Sequence, residues 1–317
     1  MSEKKNLLLF LEPVCTHNIW GGTKLRDEFG YPMEGDGIGE CWGISAHPNG
    51  NGTVRDGIYR GKKLSWMWEE HPELFGNLKY DRYPLLTKII DAQDDLSIQV
   101  HPDDTYAQEN ENGSLGKTEC WYIMDCKENA TIVIGHNAGT RDELNDMVSQ
   151  GRWQELIREV PIRKGDFIQI DPGTVHAIKA GTLILETQQN SDITYRLYDY
   201  DRLQDGKKRE LHIDKSLDVI RVPEKSAESQ VTSTCGLPAN VLNQVYACEK
   251  YSVFKLDVDG KTSFGQKYPF LAASVMEGEG TLDGAVLRKG DHFIIPCGYG
   301  EVEMEGNMSL ILSTVEG

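Results

Sequence analysis

The chain has no Cys-x-x-Cys pair, and its seven cysteines (Cys15, Cys41, Cys120, Cys126, Cys235, Cys248 and Cys297) are odd in number and irregularly spaced. That argues against a disulfide framework and a cysteine-based zinc site, and for a reducing compartment. Long hydrophobic runs are also missing. The run Leu7–Leu11 follows Lys4–Lys5 but ends at Glu12–Pro13. It is too short for the apolar stretch of a signal peptide and reads as a buried first strand. No run approaches the ~20 residues of a membrane span. Positive charge is scarce: 33 Lys and Arg against 50 Asp and Glu give a net charge of −17. Such a surface repels phosphate backbones and anionic lipid, so nucleic acid and membranes are excluded as partners. The expectation is a soluble, cytoplasmic protein. Any anionic small molecule must then find a local cationic pocket.

Enough apolar sequence is present for a core: hydrophobic residues make up 39% of 317. That length suits two domains or one elaborated one. Glycine (32) and proline (12) punctuate the chain often, and the apolar segments between them are short, as in Thr131–Ile134, Phe167–Ile170, Leu183–Leu185 and Phe293–Ile295. Short strands with frequent turns predict a mainly β protein, a sandwich or barrel. Helical signals are few. They fall at Leu64–Phe75, at Pro102–Asn112, after the capping box Thr140-Arg-Asp-Glu143, and at Trp153–Glu159.

An internal repeat is visible. Arg163-Lys-Gly-Asp166 and Arg288-Lys-Gly-Asp291 each lead through six residues to a glycine, Gly173 and Gly298, at an offset of 125 residues. A Gly-Asp turn that delivers a short strand explains both copies. The chain is therefore expected to hold two related β modules. The first is a metal-binding module over residues 1–235 with helical insertions, and the second a smaller, metal-free one over 236–317. The polar segment Val222–Asn243 is the linker candidate.

The residues that carry chemistry begin at Leu96-Ser-Ile-Gln-Val-His101-Pro102. On a strand the period is two, so Gln99 and His101 share one face while Ile98 and Val100 take the other. A polar row turned into a barrel is costly unless something satisfies it. Glu119 opens the apolar strand Cys120–Met124, and His176 lies just past the turn of the first repeat copy. Two His, one Glu and one Gln make a mixed nitrogen and oxygen set. Such a set suits a borderline divalent ion such as Zn²⁺, with water or substrate completing the shell. Glu301 stands where His176 would fall in the second copy. His17, His47, His71, His136, His212 and His292 receive no ligand role. Lys88, Lys117 and Arg196 flank these strands, and in so acidic a chain they point to an anionic substrate. Trp20 either walls that pocket or belongs to the core.

The spacing of Gly165-Asp, Pro172-Gly173 and His176 resembles the second signature of cupins, small β-barrels that hold a metal. More specifically, four motifs together resemble the type I mannose-6-phosphate isomerases. They are Asn18-Ile-Trp-Gly-Gly22, Leu96-Ser-Ile-Gln-Val-His-Pro102, Gly116-Lys-Thr-Glu-Cys-Trp121 and Ser191-Asp-Ile-Thr-Tyr-Arg196. The resemblance covers the whole chain, and the length matches the short bacterial form. It implies two cupin-like jelly-roll barrels, and one zinc ion on Gln99, His101, Glu119 and His176. Arg196 would be the active-site arginine. The reaction implied is the interconversion of mannose 6-phosphate and fructose 6-phosphate through an enediol. On this reading Lys88 and Lys117, with Ser97, hold the phosphate, and the general base is either Glu186 or a zinc-bound water. Longer relatives follow the arginine with Gly-Leu-Thr-Pro-Lys. Here Leu197-Tyr-Asp-Tyr-Asp-Arg202 follows, so no lysine role transfers. The larger helical insertion of those relatives is also missing. Two competing readings are a non-catalytic metal-cupin that senses a sugar phosphate and an Fe²⁺-dependent cupin oxygenase. The oligomeric state is left open.

Overall fold

The computed structural model describes residues 4–316. In chain order the N-terminal part begins with β1 (Leu9–Glu12), β2 (Val14–Gly22), β3 (Ile38–Ser45), β4 (Thr53–Val54), β5 (Leu85–Ala92), β6 (Ile98–Val100), β7 (Glu119–Cys126) and β8 (Thr131–His136). It continues with β9 (Ile157–Pro161), β10 (Asp166–Ile170), β11 (His176–Ala177), β12 (Thr182–Gln189), β13 (Tyr195–Tyr198), β14 (Leu203–Gln204), β15 (Lys207–Lys208) and β16 (Val231–Ser233). The C-terminal strands are β17 (Asn243–Ala247), β18 (Ser252–Gln266), β19 (Phe270–Leu282), β20 (Ala285–Arg288), β21 (His292–Pro296) and β22 (Gly300–Thr314). Helices are short: α1 (Lys24–Asp27), α2 (Leu64–Glu70), α3 (Asp104–Asn110), α4 (Arg141–Ser149), α5 (Trp153–Leu156) and α6 (Ile213–Val219).

Apart from β14 and β15, which pair separately as a two-stranded sheet, most strands from β2 to β16 form two antiparallel sheets. One runs β16-β10-β7-β12-β5-β2-β3 and the other β13-β6-β11-β8-β9. The third sheet, β17-β18-β22-β19-β21-β1-β4 with β20 beside β19, is C-terminal except for β1 and β4. The fold is mainly β, as expected. Its sheets stack as sandwiches and do not close into barrels. Apolar side chains fill the sandwiches. Trp20, Ile90, Trp121, Ile134, Ile168 and Ile184 pack together in the N-terminal part, and Phe10, Phe254, Phe293 and Leu310 within the third sheet.

The helical expectations fare differently. Asp103 caps α3 by accepting from the Tyr106 N–H, and Thr140 caps α4 by accepting from the Glu143 N–H. Leu64–Phe75 breaks at His71 into α2 and a 3₁₀ turn that starts at Pro72. Trp153–Glu159 is helical only to Leu156, because Ile157 turns to extended backbone and pairs with β8. The first strand starts at Leu9, not Leu7, which is exposed at the end of a 3₁₀ turn. Within Val222–Asn243, residues Val231–Ser233 pair with β10 and so join the sheet.

Both repeat copies have the same turn. The Arg163 N–H donates to the Asp166 carboxylate at 2.8 Å, and the Arg288 N–H to the Asp291 carboxylate at 2.8 Å. Gly165 and Gly290 sit at φ of 89° and 88°, backbone that favours glycine. One disulfide, Cys15–Cys41, departs from the reading of the cysteines. The two residues face each other in register on β2 and β3, with Cα atoms 4.0 Å apart. The other five cysteines are free. No helix of the described residues is long and apolar enough to cross a membrane.

Candidate metal centre and active site

Register places the ligand candidates. His176 on β11 lies directly opposite Gln99 on β6, and Gln99 lies opposite Arg196 on β13. Paired residues in an antiparallel ladder share a face. Gln99, His176 and Arg196 therefore project to the same side. Glu119 starts β7 on the other sheet of the sandwich. The turn at Gly173 holds the two histidines together, because its N–H donates to the His101 carbonyl at 2.9 Å. A side chain there would collide with the Val219 carbonyl, 2.7 Å from an added Cβ.

His101, Glu119 and His176 converge. Their Nε2 atoms are 3.1 Å apart, and each is 3.3–3.4 Å from one Glu119 oxygen. The Gln99 amide nitrogen lies 3.3 Å from His176 Nε2, and a half-turn of the amide brings its oxygen there instead. The two imidazoles are oriented from behind: His101 Nδ1 donates to the Ile193 carbonyl at 2.8 Å and His176 Nδ1 to the Thr174 carbonyl at 2.9 Å. Both Nε2 atoms are then left as acceptors turned toward Glu119, with the Lys117 ammonium 3.2 Å from that of His101. Burial keeps both rings neutral and pushes the His101 pKa down to about 3. Neither Glu119 oxygen accepts a well-directed hydrogen bond, although both are buried. Burial alone would raise this carboxyl. The Lys117 ammonium, 2.7 Å away, outweighs it and holds the pKa well below the usual range. Donors on a tetrahedral ion at ~2.0–2.1 Å lie ~3.3–3.4 Å from one another; here His101 Nε2 faces Glu119 Oε2, His176 Nε2 faces Oε1, and one ligand atom from each residue lies within 4.8 Å of the others. Among the described residues, His101, Glu119 and His176 are the one group of three or more His, Cys or acidic side chains placed to hold an ion.

Beside this trio lies a buried charge cluster. Glu186 on β12 is opposite Lys88 on β5 and Trp121 on β7. Its Oε1 is 3.2 Å from the Lys88 ammonium and 3.5 Å from that of Lys117, and its Oε2 accepts from the Trp121 indole N–H at 3.1 Å. Burial and the nearby Glu119 charge push the Glu186 pKa up, against the pull of Lys117 and Lys88. Glu40 pairs with Lys88 at 3.3 Å and accepts from Trp42 Nε1 at 2.8 Å. Burial opposes its ionisation, but Lys88 wins and keeps its pKa low.

The structure thus gathers Gln99, His101, Glu119, His176, Lys88, Lys117 and Glu186, with Arg196 on the same sheet face as Gln99. Ser97 is buried just ahead of β6. Trp20 is 4% exposed within the apolar cluster, the core option of the two left open. Lys88 and Lys117 are present but not as free charges, since Glu40, Glu119 and Glu186 share them. Sequence reasoning missed Glu40 and Trp42, and the role of Trp121. One signal was available: Glu-Cys-Trp occurs at 40–42 and again at 119–121.

A family model described as phosphomannose isomerase type I, catalytic domain, matches residues 8–155, and one for the mannose-6-phosphate isomerase cupin domain matches residues 240–315. The chain is 50% identical over 310 residues to mannose-6-phosphate isomerase ManA of Bacillus subtilis (strain 168), covering 96% of this chain and 98% of that protein. It is 45% identical over 311 residues to mannose-6-phosphate isomerase of Streptococcus mutans, covering 96% and 97%. The crystal structure of the mannose 6-phosphate isomerase from Bacillus subtilis superposes with a TM-score of 0.90 at 46% identity, over 97% of this chain and 99% of that one. A mannose 6-phosphate isomerase structure bound with zinc and yttrium shares the fold, with a TM-score of 0.77 at 17% identity over 98% and 100%.

Proposed function

The chain belongs to the type I phosphomannose isomerase family, and we propose that it interconverts mannose 6-phosphate and fructose 6-phosphate with one zinc ion on Gln99, His101, Glu119 and His176. The observation that carries the reading is the convergence of two neutral, buried imidazole nitrogens and a buried carboxylate, with ligand atoms within 4.8 Å of one another. The ion, when bound, supplies a Lewis acid for the charge that develops on the sugar's O1 and O2. Residues 1–235 form the catalytic module on this reading, and the metal-free module of 236–317 buttresses it.

The rest of the chemistry belongs to side chains. Moving the carbonyl from C1 to C2 requires removal of a proton from C2 and its return to C1, through an enediol. Glu186 is the base. Its Oε1 faces the Lys88 and Lys117 ammonium groups at 3.2 and 3.5 Å, its Oε2 is fixed by Trp121, and burial raises its basicity. Lys88 is held cationic by Glu186 and Glu40 despite its burial, and it fixes the Glu186 carboxylate in place. Lys117 lies between Glu119 and Glu186 and links the ion's ligand to the base. Arg196, across from Gln99, adds a positive charge on the enediolate side. The same buried sandwich excludes water from the intermediate.

A coupled assay for fructose 6-phosphate formed from mannose 6-phosphate tests the reading. Turnover is expected. Its absence in zinc-loaded protein would leave a sugar-phosphate sensor, and oxygen consumption would indicate an oxygenase instead.

A further inference from the structure

The turn that leads into His176 is gripped by a side chain from outside the ligand set. Pro172-Gly173-Thr174 joins the two histidines. The Gly173 N–H holds the His101 carbonyl, and the Thr174 carbonyl accepts from His176 Nδ1 at 2.9 Å. Arg221 touches all three residues of that turn. Its Nη2 donates to the Pro172 carbonyl at 2.8 Å, its main-chain N–H to the Gly173 carbonyl at 2.9 Å, and its Nη1 to the Thr174 hydroxyl at 3.3 Å. The same Nη1 lies 3.3 Å from a carboxylate oxygen of Glu224, whose side chain is 1% exposed.

Arg221 is itself fixed from both sides. Arg141 donates to the Leu217 and Ile220 carbonyls at 2.6 and 2.7 Å, which ties down the end of α6 just before it. The Arg221 carbonyl accepts from His136 Nε2 at 2.7 Å, and His136 ends β8, the strand on which Ile134 pairs with His176. The guanidinium therefore projects from an anchored main chain, and its planar fork meets two oxygens of one turn. The turn has need of such a hold. Gly173 sits at φ 83°, and glycine has more backbone freedom to lose than any other residue. A histidine is a good metal ligand only while its ring is aimed, and the acceptor behind Nδ1 does the aiming. If the turn shifts, the Thr174 carbonyl shifts with it, and the His176 ring loses its orientation.

We propose that Arg221 is a positioning residue for the metal centre, clamping the Pro172–Thr174 turn so that His176 and His101 stay aimed at one ion. It touches neither the ion nor the substrate. The proposal rests on the zinc reading of the site and extends it beyond the ligands.

The test is the zinc dissociation constant, measured by chelator competition on wild type, Arg221→Lys and Arg221→Met, with visible absorption of the cobalt-substituted proteins. Methionine keeps the main-chain N–H but removes both guanidinium contacts to the turn. Loss of a partner behind a ligand typically weakens metal binding by about 10- to 100-fold, so Arg221→Met should raise the zinc dissociation constant by that factor. Arg221→Lys, which keeps the charge and one donor, should fall between the two. At saturating cobalt the ligand-field bands of Arg221→Met should shift or weaken, a change that lost stability alone does not produce. Arg221→Met also leaves the buried Glu224 carboxylate without its cation. The double variant Arg221→Met/Glu224→Gln removes that charge and carries the test if the single variant does not fold. A zinc dissociation constant within twofold of wild type in the folded methionine variant would overturn the proposal, whatever its melting temperature. Wild type that binds zinc but turns over no mannose 6-phosphate would overturn the isomerase reading instead. The zinc constants then still decide the role of Arg221: a raised value supports it, and an unchanged one overturns it.

Discussion

Glu186 and Lys88 stand directly opposite each other on β12 and β5, and their charged ends meet at 3.2 Å inside the protein. The pair is buried together with Glu40, Glu119 and Lys117, so the Glu186 carboxyl is pulled both ways, and its pKa ends above the ordinary carboxyl value. A general base works only when deprotonated. Activity should therefore rise with pH through the Glu186 pKa, and the acid limb of kcat should lie above the usual glutamate range. Glu186→Gln should lower kcat by about 10²–10⁴-fold and remove that limb. A kcat–pH profile of both proteins checks this. An unchanged limb in the variant would assign it to another group.

The histidine ligands make a second prediction. His101→Ala and His176→Ala each remove one of two neutral imidazoles that face one point at 3.1 Å. Each variant should lose zinc and turnover together, by metal analysis alongside the coupled assay. A variant that keeps its full zinc content would remove that histidine from the ligand set.

Arg196 lies directly opposite Gln99 on the neighbouring strand. A charge aimed at the enediolate acts in the transition state, so Arg196→Ala should lower kcat by about 10²–10³-fold. Steady-state kinetics at matched zinc content measure this. A raised KM at wild-type kcat would assign Arg196 to phosphate binding instead.

Much of this was legible in the sequence, for reasons that differ by residue. Gln99 and His101 announce themselves because alternation on a strand is strictly local. The Arg-Lys-Gly-Asp turns are equally local, since each aspartate closes on a backbone N–H three residues before it. Glu40 was hidden because its partner Lys88 comes from a strand 48 residues away, joined only by β3–β5 pairing. Neutralisation of Lys88 and Lys117 was hidden for the same reason: a count of cations near a motif does not say which carboxylates fold onto them. The Cys15–Cys41 contact likewise follows from register between β2 and β3 rather than from cysteine spacing.

The second module carries its own pH prediction. His292 is buried between Ser274, whose hydroxyl lies 2.7 Å from Nδ1, and Tyr31, whose hydroxyl lies 2.8 Å from Nε2. Burial depresses its pKa to about 4. The unfolded chain, with an ordinary histidine, binds this proton more readily. Stability from the neutral ring is thus fully present above about pH 6.5 and is lost as pH falls through about 4, a change of about 3 kcal/mol. Denaturant unfolding between pH 7 and 4 should show the fall. His292→Gln should be less stable at pH 7 but decline less steeply. Equal slopes in the two proteins would contradict this account of His292.

The central claim is that a zinc ion on Gln99, His101, Glu119 and His176 supports aldose–ketose isomerisation of a sugar phosphate. Its most direct test is zinc content and fructose 6-phosphate formation, measured on the same sample before chelation, after chelation and after zinc is restored. The account predicts about one zinc per chain, loss of turnover in step with loss of the ion, and recovery on its return. Full turnover of mannose 6-phosphate by metal-free protein would contradict it.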